Sequence, residues 1–144
     1  MKAAWVIVLL AVAGVVLFWN QIQQGVFNLT GIVQYASNAG FTGADLVTAI
    51  AIAYAESAGN PNAQGDFGDP IPGQYNAFGL WQINTGENPG FAGENLFDPQ
   101  TNANAAYSLY EAAGFSFKPW STFNNGQFQA FIAQATTEAT GATS

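Results

Sequence analysis

The first hydrophobic stretch of the chain has no helical period. Ala3 to Trp19, AAWVIVLLAVAGVVLFW, is apolar on every face, whereas a helix of a soluble domain shows a polar stripe. Coiled as an α-helix the run spans about 25 Å, against a hydrocarbon core of about 30 Å. Trp5 and Trp19 stand near its ends, where indole favours the membrane interface, and Lys2 precedes it. A cleaved signal peptide is the competing reading, with Ala11-Val12-Ala13 as its small-x-small site. Cleavage there would leave Val15 to Trp19 as an apolar stub, so the pattern favours an uncleaved N-terminal transmembrane helix over residues 1–20. With Lys2 held on the cytoplasmic side, the remainder of the chain is exported.

Beyond the anchor the pattern turns periodic. Residues 21–28 read as a polar connector, 29–135 as one globular domain, and the tail 136–144 (TTEATGATS) as a flexible end. Ile32, Val33, Tyr35, Ala36 and Ala39 fall at helical spacing and stop at Gly40. A second helix follows Thr42 as N-cap, with Asp45 in its first turn and Leu46, Ile50, Ala53 and Tyr54 on one side. It ends at Ser57-Ala58-Gly59, with Gly59 as the residue past the end and Pro61 forbidding continuation. Asp98-Pro99 opens a third helix that stops at Gly114. A fourth follows Asn124-Asn125-Gly126, with Phe128, Phe131, Ile132 and Ala135 as its apolar face. Some forty residues rich in Gly, Pro, Asn and aromatics separate the second and third helices. A loop of that length is functional or folds into small β elements. The fold class expected is α+β, mostly helical with a small irregular or β lobe.

Composition narrows the chemistry. Charged residues are 8% of the 144, against a usual share of about 25%. There are nine acidic side chains, two lysines, and no histidine or cysteine, for a formal charge of -7. That excludes a Ser-His-Asp triad, a cysteine nucleophile, disulfides and an ordinary zinc site. An acidic chain without arginine offers nothing to a phosphate backbone, so no nucleic-acid partner is expected.

Carboxylates remain. Glu56 lies near the C-terminal end of the second helix in the otherwise uncharged stretch LVTAIAIAYAESAG. Apolar neighbours and the negative end of the helix dipole both favour its protonated form. Such an acid suits protonation of a leaving glycosidic oxygen; the plain alternative is a surface glutamate in a last turn. Asp66, Asp69, Glu87 and Glu94 lie in or beside the long loop. An inverting hydrolase would need one of them about 6.5–9.5 Å from Glu56, a retaining one about 5–5.5 Å. Asp66 and Asp69 match no twelve-residue calcium loop and read as solvated loop residues, so no metal or cofactor is expected. Tyr75, Phe78, Trp81 and Trp120 are candidates to line a sugar cleft, Tyr75 and Trp81 first, with burial in the core as the alternative.

Four segments carry a resemblance. Glu56-Ser57-Ala58-Gly59-Asn60-Pro61-Asn62-Ala63 resembles the E-S-G-x-N-P-x-A signature of the lysozyme-like lytic transglycosylases. Gly79-Leu80-Trp81-Gln82-Ile83-Asn84 resembles their G-L-x-Q-I motif, in the GLWQIN form common in phage lysozyme-like domains. Leu96 to Ala106 is similar to the L-x-D-P-x-x-N-x-x-A-A helix start, and Trp120-Ser121-Thr122-Phe123 to a closing W-S-x-[FY] element. The resemblance implies a lysozyme-like domain that cleaves the β-1,4 bond between N-acetylmuramic acid and N-acetylglucosamine and leaves 1,6-anhydro ends. It makes Glu56 the single acid/base, with Ser57, Gln82 and Asn84 near glutamate and substrate. The family's third-helix tyrosine has no exact counterpart here: Leu109 stands at its position, and Tyr107 and Tyr110 flank it. Tyr107 is the expected substrate-side residue. The partners implied are peptidoglycan strands and, through the anchor, membrane lipid. The setting is a bacterial inner membrane facing the periplasm, or a phage virion with its own protein partners, opening the wall during entry. A water-using muramidase on the same scaffold is the nearest rival, and a non-catalytic glycan-binding or structural membrane or virion protein the more distant one.

Overall fold

The computed structural model describes residues 31–143; the expected anchor (1–20) and connector (21–28) lie outside the described residues. Among the described residues no helix is long and apolar enough to cross a membrane.

Helix α1, described over 31–39, places Ile32, Val33 and Ala36 in the core and ends at Gly40. Gly40 is required there: φ is 128° and a Cβ would come within 2.8 Å of the Tyr107 ring. Helix α2 runs Gly43–Ser57. Thr42 holds its N-cap position, but its side chain makes no capping bond. The Asp45 carboxylate in the first turn instead accepts the Tyr110 hydroxyl, and this bond pushes the tyrosine pKa up to about 12. Ala49 to Ala53 are buried without a break, so α2 is covered on every side through its middle. A one-sided stripe was expected. Its alanines let helix α5 (Ile132–Thr143) and the turn Gln127–Phe131 approach closely.

The long segment after α2 folds into three two-residue antiparallel strands, β1 (Gln64–Gly65), β2 (Ala77–Phe78) and β3 (Ile83–Asn84), in the order β1-β2-β3. Gly65 pairs with Ala77, and Ala77 with Asn84. Helix α3 (Pro99–Ala112) begins as its sequence predicts: Asp98 Oδ2 accepts from the Thr101 backbone N–H at 2.9 Å and from its hydroxyl at 2.8 Å. A short helix α4 (Ser121–Asn124) precedes the 3-10 turn, and α5 (Ile132–Thr143) closes the chain.

The tail departs from expectation. Residues 136–143 continue α5, with Ala135 and Glu138 buried. The Tyr54 hydroxyl donates to both Glu138 oxygens (2.9 and 3.1 Å), and Gln134 Nε2 donates to Oε2 at 3.1 Å. Burial, then this bond, raises the Tyr54 pKa to about 12. The small, polar sequence is held by that contact to α2. The described residues are thus mostly helical with a small three-stranded sheet, the α+β arrangement expected.

Candidate active site

The final turn of α2 presents Glu56. Ala58 then adopts a left-handed conformation (φ 54°), followed by Gly59 (φ 79°), and the helix stops. Ser57 closes the end from behind: its hydroxyl donates to Ala53 O at 2.8 Å and accepts from Gly59 N at 3.2 Å. Its described bonds therefore finish the helix that carries the acid.

Thr122 faces Glu56. Trp120 sits at the N-cap of α4, its indole N–H donating to Trp81 O at 2.9 Å, which fixes where α4 begins. From that start the buried Thr122 hydroxyl donates to Glu56 Oε2 at 2.7 Å. Burial raises the Glu56 pKa above the usual carboxyl value, against the opposing effect of the Thr122 hydroxyl and backbone N–H. The negative charge of Asp66 pushes it further up.

Asp66 follows β1, and the sheet holds it. Asn84 Nδ2 donates to Asp66 Oδ2 at 3.0 Å, while Asn84 Oδ1 accepts from Gly86 N at 3.0 Å and Glu87 N at 3.1 Å. None of the described bonds of the Asn84 side chain is with Glu56; it holds Asp66 instead. Of the loop carboxylates read as surface turns, Asp66 is the one whose charge acts on Glu56. Strain collects in the same region. Ala58, Asp66 and Gln82 are three of the four described non-glycine residues with positive φ, at 54°, 52° and 48°.

Gln82 and Asn102 brace the turn between β2 and β3. Gln82 Nε2 donates to Ala63 O at 3.1 Å and Gly79 O at 3.0 Å, tying the turn to the chain entering β1. Asn102, buried on α3, accepts from Trp81 N at 2.8 Å and donates to Phe78 O at 2.8 Å and Leu96 O at 2.9 Å. The clamp leaves no room for a side chain at Gly79, where a Cβ would lie 2.2 Å from Asn102 Nδ2.

The aromatic expectations divide. Trp81 is in the core and not on a cleft wall: it is 1% exposed, and its indole N–H donates to Ala49 O at 2.9 Å. Burial of that donor demands a partner, and the α2 backbone supplies it. Trp120 is buried likewise. Tyr107 packs edge-on against Phe41 (5.0 Å between ring centres) and over Gly40, and none of its described contacts is with Glu56. The hydroxyl that reaches the acid belongs to Thr122. Tyr75 is 44% exposed, at the end of the loop that Asp66 begins.

That loop is held from within. Asn76 is fully buried, and its Nδ2 donates to Asp66 O, Ile71 O and Gln74 O at 3.0, 3.1 and 3.2 Å. Asn76 Oδ1 has no hydrogen-bond partner among the described residues. The opposite amide orientation would set that oxygen against three carbonyls, which fixes the orientation observed. Among the described residues, no group of three or more His, Cys, Asp or Glu could hold a metal ion.

Sequence reasoning missed Thr122, Asn102 and Asn76 as determinants of the site. Thr122 and Asn102 lay inside quoted motifs, as a hydroxyl and an amide at fixed positions, but nothing local announced what they reach. The acid at a helix end, the hydroxyl on it and the second charge beside it form an arrangement suited to general acid catalysis. No curated protein and no solved structure matches the chain. Residues 33–122, which carry Glu56, the sheet, α3 and Thr122, match the model of the lysozyme-like domain, and the protein belongs to that family.

Proposed function

We propose that the protein is a peptidoglycan lytic transglycosylase acting on the β-1,4 bond between N-acetylmuramic acid and N-acetylglucosamine. One observation carries the reading: in a lysozyme-like domain, Glu56 is a half-buried carboxyl group with a raised pKa, held by Thr122. A raised pKa keeps the group protonated closer to neutral pH, ready to act as an acid. Glu56 gives its proton to the glycosidic oxygen as the bond from that oxygen to the muramic C1 breaks. The resulting carboxylate takes the proton of the muramic 6-hydroxyl as O6 bonds to C1. Glu56 ends reprotonated, no water is consumed, and the product carries a 1,6-anhydro end. Ser57 and Gln82 support the site through the backbone bonds already described. The apolar run 3–19 fits an anchor that fixes the exported domain beside the wall; the family match carries no argument for a virion.

A muramidase is the second reading, and Asp66 is the observation that favours it. A carboxylate held by Asn84 and acting electrostatically on Glu56 supplies the second carboxyl group that a water-activating mechanism requires. Mass analysis of products from purified sacculi separates the two. Anhydro-muramic ends support the transglycosylase; reducing muramic ends support the muramidase; intact glycan with neither end overturns both.

A further inference from the structure

The loop from Asp66 to Tyr75 presents an apolar face that nothing described so far uses. Phe67 is 64% exposed, and Ile71 and Tyr75 are each 44% exposed. Phe67 and Tyr75 meet edge to face, their ring centres 5.1 Å apart at 74°. Large apolar side chains left in water on a loose loop would need no account, but this loop is fastened at several points. Gly68 N donates to Gln74 O at 2.7 Å, Asn76 N to Gly65 O at 3.1 Å, and the Asn76 amide spans three carbonyls. The Pro70 ring lies on Gly86, where a Cβ would approach it at 2.7 Å. The polar backbone is satisfied inward and the rings stand outward in a fixed pose.

We infer that Phe67 and Tyr75 form a sugar-stacking platform that holds the glycan strand on the loop adjoining the Glu56 site; the inference rests on the glycan-cleaving reading above. Continuity with the site argues for this occupant: the loop begins at Asp66, whose side chain Asn84 of β3 holds at 3.0 Å, whose carbonyl accepts from Asn76 at 3.0 Å, and whose charge acts on Glu56. Chemistry argues for it too. Pyranose rings offer apolar C–H faces that pack flat on aromatic rings and carry no charge on those faces. A chain of formal charge -7, with Asp66 and Asp69 in this very loop, repels an anionic lipid surface and a second copy of itself. Ile71 widens the apolar border.

The test uses the full-length chain in detergent on a Glu56→Gln background, so that binding is read without cleavage. Retention on purified sacculi should fall about tenfold in Phe67→Ala/Tyr75→Ala, the sum of two modest ring contacts. Phe67→Tyr should keep it, and Phe67→Leu, equally apolar without a ring face, should not. Neither side chain belongs to the hydrogen-bond framework of the loop, and an unchanged circular dichroism spectrum and melting point would show the fold intact. Retention unaffected by the double change overturns the platform, as does full rescue by leucine. So does a loss confined to vesicles of phosphatidylglycerol and phosphatidylethanolamine, which would make the face a membrane contact. If the unsubstituted chain cleaves sacculi while the double change leaves retention intact, only the platform falls. If it neither binds nor cleaves, the functional reading falls with it.

Discussion

The Thr122 hydroxyl donates to Glu56 Oε2 at 2.7 Å across 66 residues of chain. It opposes the burial that raises the Glu56 pKa, so burial, aided by the Asp66 charge, competes with the Thr122 bonds. Thr122→Val removes the donor that favours the charged form, and the Glu56 pKa should rise further. If protonated Glu56 is the active form, the alkaline limb of the pH–rate profile moves to higher pH. The rate itself should fall roughly tenfold to a hundredfold, because the acid loses its orientation. Thr122→Ser should restore both limb and rate. Profiles that superimpose for valine and threonine would remove Thr122 from the mechanism.

Glu56→Gln should lower wall cleavage by a factor on the order of 10²–10⁴, as an amide cannot supply the proton. Stability should move the other way. The folded-state pKa is raised, so the contribution of Glu56 is fully present below the ordinary carboxyl pKa and is lost as pH rises through the raised value. Glutamine escapes that loss. The melting point of the variant relative to the parent should therefore increase with pH across this window, which paired thermal scans at acid and neutral pH would measure.

Asp66→Asn removes the negative charge that helps raise the Glu56 pKa, and the alkaline limb should move to lower pH. A transglycosylase keeps most of its turnover below that limb. A muramidase relying on Asp66 loses about 10²–10⁴ at every pH. Amide substitutions at Asp69, Glu87 and Glu94 should leave cleavage largely in place under either reading, which assays on sacculi would check.

Asn102→Ala strips three partners at once, from Trp81 N, Phe78 O and Leu96 O. The loss should be roughly 2–4 kcal/mol, read as a lower urea midpoint, because buried backbone groups are left unpaired. A shift well under 1 kcal/mol would mean that water replaces the clamp.

Helix ends were the most legible part of the fold. Asp98-Pro99 before α3 and the glycines at 40 and 114 act within a few residues, and local chemistry suffices to read them. Glu56 stood out for the same reason, as the one charge in the apolar stretch from Leu46 to the end of its helix. What pairs with it was not legible, because periodicity does not say which loop a helix end meets. Trp81 reads equally well as cleft wall or core until the Ala49 carbonyl is seen to hold its N–H. The tail read as polar and loose because the contact of Glu138 with Tyr54 spans 84 residues.

Three carbonyl oxygens gathered at one point are what a hard cation such as calcium ordinarily collects. At Asn76 an amide nitrogen occupies that point, supplied by the chain itself. The loop beside Glu56 thus carries a built-in substitute for a counter-ion. Its shape should follow neither the divalent-ion content of the medium nor the presence of a chelator. Its vulnerability is chemical ageing: deamidation of Asn76 would turn a donor into a carboxylate facing three oxygens, and the loop would be pushed open from its centre.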